Sequence, residues 1–424
     1  MKDNFFNIDN KLSELSEKAL SRCTEAFSRI EKITEHNQQK VLYAFSENRV
    51  CEADLLGTTG YGYGDRGRET LDKVASMCFG AEDAIVRHSF ASGTHTLTVA
   101  LFGLLRPGEK MLCVTGTPYD TIRPVIGIKG VDGRGSLKDF GITYLQTELD
   151  ENGRVDLEAV EKVLKAEKIK LVYIQRSRGY TLRPSLSVEE IGAIAALTKR
   201  LSDAVVMVDN CYGEFVQTKE PLDFGADIIA GSLIKNPGGG IAKCGGYIAG
   251  KKELVELCAY RMTAPGIGKE VGATLGNTRE MLMGLFHAPH VVGEALKTAV
   301  FAASLYELLV FDASPSYNED RFDIIQSVSL KNSDRLIAFC RGLQKGSPID
   351  SFVVPEPWDM PGYDNKVIMA AGAFTSGSSI ELSADAPLRE PYAVWLQGGL
   401  NFHSAKIGIL LSAQEMLKEG LITV

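Results

Sequence analysis

The chain has 424 residues, 45% hydrophobic and 24% charged, the composition of a globular protein too long for a single ordinary core. Its formal charge of −8 argues against nucleic acid or an anionic membrane as the main partner. No stretch of about eighteen uncharged apolar residues exists, because even residues 291–311 contain Glu294, Lys297 and Glu307.

Residues 12–46 read as a helix, with apolar positions at Leu12, Leu15, Ala19, Leu20, Phe27, Ile30 and Ile33. From about residue 71 to 254, strand and helix signals alternate. Strands are predicted at 111–115, 142–146, 171–175, 205–209, 228–232 and 245–249, and helices at 157–166 and 188–201. This is the α/β pattern of a mostly parallel sheet with crossover helices. A long helical stretch follows to about residue 309, residues 311–323 read as a linker or inserted loop, and short strands return from residue 352. The predicted organisation is an N-terminal arm with a partner-facing loop (1–66), a large cofactor-binding domain (67–290) and a connecting helix with a smaller α+β domain (291–424). No repeat or low-complexity tract interrupts it. The start of the chain shows no signal-peptide pattern, and eight scattered cysteines include no Cys-x-x-Cys pair, so a cytoplasmic location with reduced thiols is expected.

Three segments carry chemistry. Residues 204–209 form a continuous apolar run ending in Asp209, as a buried parallel strand that delivers an acid at its C-terminal edge would. Lys235 follows a second apolar strand within Gly231-Ser232-Leu233-Ile234-Lys235-Asn236-Pro237-Gly238-Gly239-Gly240. A buried ε-amine there loses its proton cheaply and can bond to an aldehyde. An acid and a lysine are the two groups that a pyridoxal phosphate ring needs above all. Upstream, Ser92-Gly93-Thr94-His95 opens a helix whose N-terminal N–H groups favour an anion. Taken singly, these are a strand-end cap, a turn lysine and a helix cap; their conjunction in this order is the specific signal. Gly238-Gly239-Gly240 lacks the following Lys-Ser/Thr of a nucleotide P-loop. His287 and His290, split by Pro289 and lacking a third ligand, read as structural or exposed residues rather than a metal pair.

On these segments, with Gly60-Tyr61-Gly62-Tyr63-Gly64-Asp65-Arg66-Gly67-Arg68, Thr115-Gly116-Thr117-Pro118-Tyr119, Asp209-Asn210-Cys211-Tyr212-Gly213-Glu214 and Gln397-Gly398-Gly399, the chain resembles the fold type I pyridoxal-phosphate enzymes. Within them it is similar to the cystathionine-lyase and methionine-γ-lyase relatives, and to their aluminium-resistance branch of carbon–sulfur lyases. The resemblance implies a large, mostly parallel sheet domain with helices on both faces plus a smaller C-terminal α+β domain. It implies pyridoxal 5'-phosphate held by Lys235, with Asp209 on the ring nitrogen and Ser92, Gly93, Thr94 and Ser232 on the phosphate. Tyr119 would stack on the ring, with His95 as the rival stacker.

A Tyr and an Arg of the glycine-rich loop would cross to the partner's phosphate in a homo-oligomer, a dimer of dimers (homotetramer). The spacing departs from the family's Tyr-x-Arg, which leaves Tyr61 or Tyr63, and Arg66 or Arg68, open; Tyr63 joins Lys235 and Tyr119 as a catalytic candidate. Arg389, between Pro387 and Pro391, is the best match for the arginine that binds the substrate carboxylate, with Arg176, Arg178 or Arg279 as alternatives. The implied activity is β- or γ-elimination from a sulfur amino acid, releasing a thiol, ammonia and a 2-oxo acid. The competing readings are an aminotransferase or racemase on the same cofactor, or a non-catalytic metal-stress protein.

Overall fold

In a computed structural model the described residues are 4–360 and 365–424. The chain divides into two compact units, His36–Ala288 and Met1–Glu35 with Pro289–Val424. The expected arm of residues 1–66 is therefore shared between them. Its helix α1 spans Asn10–Glu47, and residues 36–66 belong to the larger unit.

The larger unit contains helices α2 (Arg66–Phe79), α3 (Gly93–Leu104), α4 (Ile122–Ile126), α5 (Leu157–Ala166), α6 (Val188–Leu201) and α7 (Lys252–Met262). They flank a sheet of β1 (Asp83–Arg87), β2 (Lys110–Cys113), β3 (Thr143–Gln146), β4 (Leu171–Gln175), β5 (Val205–Asp209), β6 (Ile228–Ser232) and β7 (Gly246–Gly250). The spatial order is β1-β7-β6-β5-β4-β2-β3. The strands from β3 to β6 are parallel, and β7 runs antiparallel to both β6 and β1. Every residue of β4, β5, β6 and β7 is buried, which is why their sequences read as unbroken apolar runs.

One core lies where α3, α4 and α7 cover the sheet, joining Leu97, Leu101, Ile122, Met207, Ile248 and Cys258. Gly103 lets α3 approach α7 closely: a Cβ there would sit 3.0 Å from the Cα of Cys258. Helix α6 starts where predicted because Ser187 and Glu190 form a reciprocal capping box. The edge strand β1 was not predicted; its five residues are short, and its partner β7 is distant in sequence.

The second unit holds most of helix α8 (Thr278–Leu308), then β8 (Asp312–Ser314), β9 (Gln326–Ser329), α9 (Ser333–Lys345), β10 (Val367–Ala370), β11 (Ser383–Pro387), β12 (Ala393–Gln397) and α10 (Phe402–Lys418). Its sheet, in the order β10-β11-β12-β9-β8, is antiparallel throughout. Phe339, Leu343, Ile409 and Met416 of α9 and α10 share a core with Val394 and Leu396 of β12. The segment expected to be a linker contains β8, which pairs Ala313 with Val328. Three residues, Asp-Ala-Ser, are too few to show an alternating pattern. Among the described residues no helix is long and apolar enough to cross a membrane.

Candidate active site

The C-terminal edge of the parallel strands in the larger unit gathers the predicted chemistry. Strand β5 ends on Asp209, which is 6% exposed. One carboxyl oxygen accepts the Cys211 N–H at 3.2 Å and the other the Tyr173 hydroxyl of β4 at 3.3 Å. Burial raises the Asp209 pKa, while the Lys235 charge and the hydrogen bonds from Cys211 and Tyr173 act against that rise. A cation brought beside this carboxyl would be paired with a desolvated acid, the setting in which an ion pair is strongest.

Lys235 follows β6, and its Nζ lies 3.9 Å from the centroid of the Tyr212 ring, a cation–π contact. The sequence suggested an easily lost proton. Burial does favour the neutral amine, but Cys211, Tyr212, Asp209 and Glu214 surround it and hold its pKa above the ordinary lysine value. The net direction is the opposite of the one burial alone would give.

Ser92 caps α3, its hydroxyl accepting the His95 N–H at 3.1 Å. The first N–H groups of a helix have no intrahelical acceptor and attract an anion. Ser232 at the end of β6 meets this N-terminus: a Cβ on Gly93 would lie 3.2 Å from Cβ of Ser232 and 3.8 Å from Sγ of Cys211. A side chain at this position would push Ser232 back by a few tenths of an ångström. The Ser232 hydroxyl is buried with no hydrogen-bond partner, and the Thr94 hydroxyl is shared with Thr121 at 2.7 Å. An unpartnered hydroxyl beside free helix N–H groups fits a phosphate, so Ser92, Gly93, Thr94 and Ser232 would hold that end of pyridoxal phosphate. Asp209 ends the neighbouring strand β5, and Lys235 lies three residues beyond Ser232.

Tyr119 is positioned by Gln175 at the end of β4, whose side-chain oxygen accepts the Tyr119 N–H at 2.7 Å. The ring of Tyr119 faces that of Tyr180 at 5.7 Å. His95 turns back on its own helix, its Nδ1 accepting the Ala91 N–H at 3.1 Å, which leaves Tyr119 the better ring-stacking candidate. The two arginines after β4 differ. Arg176 is fully buried and donates to Asn210 at 2.8 Å and Gln217 at 3.0 Å, with Glu220 at 3.6 Å, so its guanidinium braces the turn after β5. Arg178 is buried in the turn closed by Thr181, which donates to its carbonyl at 2.6 Å.

The open choice in the glycine-rich loop is narrowed by burial. The Arg68 guanidinium is buried and donates to the carbonyls of Gly62 at 2.8 Å, Gly272 at 2.9 Å and Glu270 at 3.3 Å, tethering the loop. Arg66 is exposed and pairs with Asp54 at 2.7 Å, while Tyr61 and Tyr63 are 75% and 69% exposed with their rings 5.7 Å apart. In the second unit, Arg389 sits at the exposed tip of the β11–β12 hairpin. His287 and His290 are exposed on α8, and no group of metal-ligating side chains occurs among the described residues. Sequence reasoning missed Gln175, Tyr173, Tyr247 and Glu214. Each acts through a partner distant in sequence, Gln175 on Tyr119, Tyr173 on Asp209 and Tyr247 on Glu214, a pairing that no local pattern announces.

The profile of the methionine gamma-lyase family matches residues 12–417. A carbon–sulfur lyase involved in aluminum resistance from Clostridium novyi NT is 53% identical, with a TM-score of 0.94 over 97% of each chain. The uncharacterized protein YnbB of Bacillus subtilis (strain 168) is 47% identical over 394 residues, 93% of each protein. The L-methionine gamma-lyase of Treponema denticola is 25% identical over 234 residues, 54% of this chain and 52% of that enzyme. The larger parallel-sheet unit and the smaller antiparallel one are those of fold type I pyridoxal-phosphate enzymes. From a match that runs nearly end to end, the chain belongs to the methionine gamma-lyase family.

Proposed function

We propose that this protein is a pyridoxal-phosphate-dependent carbon–sulfur lyase that eliminates a thiol from Cβ or Cγ of a sulfur amino acid. The observation that carries this reading is the meeting of Asp209, Lys235 and the unpartnered Ser232 hydroxyl at the N-terminus of α3. When bound, pyridoxal phosphate supplies an electron sink that stabilises negative charge at the substrate α-carbon. The chain's own residues do the rest. Asp209 keeps a proton on the ring nitrogen, the α3 N-terminus and Ser232 fix the phosphate, and Tyr119 covers the ring. The Lys235 amine takes the α-proton and returns a proton during turnover. Incubation with cystathionine, cysteine and methionine should release a free thiol and a 2-oxo acid in equal amounts from at least one of them. Amino-group transfer to an added 2-oxo acid with no thiol released would make the protein an aminotransferase instead.

The substrate carboxylate is assigned to Arg389, with Arg178 as the alternative. A planar guanidinium makes two parallel charge-assisted hydrogen bonds to a carboxylate, each worth about 1.5–3 kcal/mol. Arg389→Leu should raise KM roughly 10-fold or more on that scale while leaving cofactor absorbance intact. An unchanged KM moves the role to Arg178.

The exposed Tyr61, Tyr63 and Arg66 favour a homo-oligomer in which this loop reaches a second copy's phosphate. Wild type should sediment as a dimer or larger, and Arg66→Ala should lose cofactor faster on dialysis. A monomer that retains its cofactor fully would contradict this arrangement.

A further inference from the structure

The turn after β5 carries a carboxyl that the proposed chemistry does not use. Glu214 is fully buried, and its Oε1 accepts the Tyr247 hydroxyl from β7 at 2.8 Å. Its Oε2 has no hydrogen-bond partner. The carboxyl lies against β6, where a Cβ on Gly231 would fall 2.5 Å from Oε1. The Glu214 carbonyl accepts the Asn236 side-chain amide at 3.0 Å, tying this turn to the residue after Lys235. The turn holds φ at +72° in Tyr212 and +62° in Phe215, conformations that need support from their surroundings. The Tyr212 ring is also the platform for the lysine ammonium. A buried carboxylate with one oxygen unpartnered is costly, so either a proton or the nearby ammonium must neutralise it.

We propose that Glu214 is a positioning residue for Lys235, and that by keeping or releasing its own proton it sets whether the ε-amine stays charged. The inference rests on Lys235 being the reactive amine. Glu214 is faced by Tyr247 of β7, by Lys235 after β6, and by Glu220, which has Arg176 3.6 Å behind it. Lys235 is faced in addition by Asp209, Cys211 and Tyr212. From α1, Lys40 lies over the neighbouring Phe215 ring. Burial pushes the Glu214 carboxyl up to about 8, against its own backbone N–H and the Tyr247 hydrogen bond; the Glu220 charge adds to the rise and the Lys235 charge opposes it. At neutral pH the acid is therefore protonated and leaves the lysine freer to give up its proton. At higher pH it ionises and becomes a counter-ion that retains the ammonium.

Glu214→Gln keeps the shape and can still accept from Tyr247, but it cannot ionise. In the full chain stripped of cofactor, acetylation of Lys235 by acetic anhydride can be followed by mass spectrometry across pH. The variant should react at lower pH than wild type, by about one pH unit or more, the scale on which one neighbouring charge moves a titration. Infrared difference spectra of wild type should show a protonated-carboxyl band lost with a midpoint near 8 and missing from Glu214→Gln. Tyr247→Phe, which removes a hydrogen bond that favours the carboxylate, should move that midpoint to higher pH. Identical acetylation profiles in wild type and Glu214→Gln, or no carboxyl band titrating in wild type, would overturn the proposal. If Lys235 did not carry the cofactor, the lyase reading would fail on its own, because the acetylation comparison needs no cofactor.

Discussion

Lys235→Ala is expected to abolish turnover and covalent cofactor attachment together. The amine sits at one point of the site, over the Tyr212 ring and beside Asp209, Cys211 and Glu214. Its charge acts directly on the Asp209 carboxyl. Losing both the attachment point and the general base should cost about 10⁴-fold or more in kcat, since general-base help alone supplies roughly 10²–10⁴-fold. The check is single-turnover kinetics with the visible absorbance of the protein after gel filtration. A Lys235→Ala protein that keeps a covalent cofactor and turns over would assign the chemistry to another amine.

The second large effect is at Asp209. Asp209→Ala should keep the cofactor attached to Lys235, yet lower kcat by about 10²–10³-fold, the scale on which one preorganised electrostatic contact contributes to a reaction. The loss follows from the carboxyl's place: it is buried, held by Tyr173 and Cys211, and beside the lysine. Removing it leaves the Tyr173 hydroxyl without that acceptor, so Asp209→Asn, which preserves volume, separates a folding defect from a chemical one. Both variants should give similar kcat with native-like thermal unfolding in the Asn protein. Near-normal turnover in Asp209→Asn would show that the ring nitrogen does not depend on this acid.

The strands that build the site were legible because burial on both faces leaves an unbroken apolar signature, and the predicted 171–175, 205–209 and 228–232 coincide with β4, β5 and β6. Helices α5 and α6 were legible because caps fix their starts, Asp156 in one and the Ser187–Glu190 box in the other. The edge strand β1 and the three-residue β8 were not, since their pairing is set by distant chain rather than by their own pattern. The same distinction holds in the site. Asp209, Lys235 and Ser232 stand at ends of readable strands, and the structure brings the latter's hydroxyl to the α3 N-terminus. For Lys235 only burial was legible, whereas Cys211, Tyr212, Asp209 and Glu214, which act against it, gather only once the turn after β5 is folded. The choice between Arg66 and Arg68 likewise needed the loop at 270–272, whose carbonyls absorb Arg68.

The most direct measurement is to load the protein with pyridoxal phosphate, reduce it with borohydride, digest it, and locate the added cofactor mass. The account predicts one modified site, Lys235, in the peptide that includes Ser232 and Asn236, and no modification when the phosphate-free aldehyde is offered at the same low concentration. Cofactor mass spread over surface lysines, or confined to any residue other than Lys235, would contradict it.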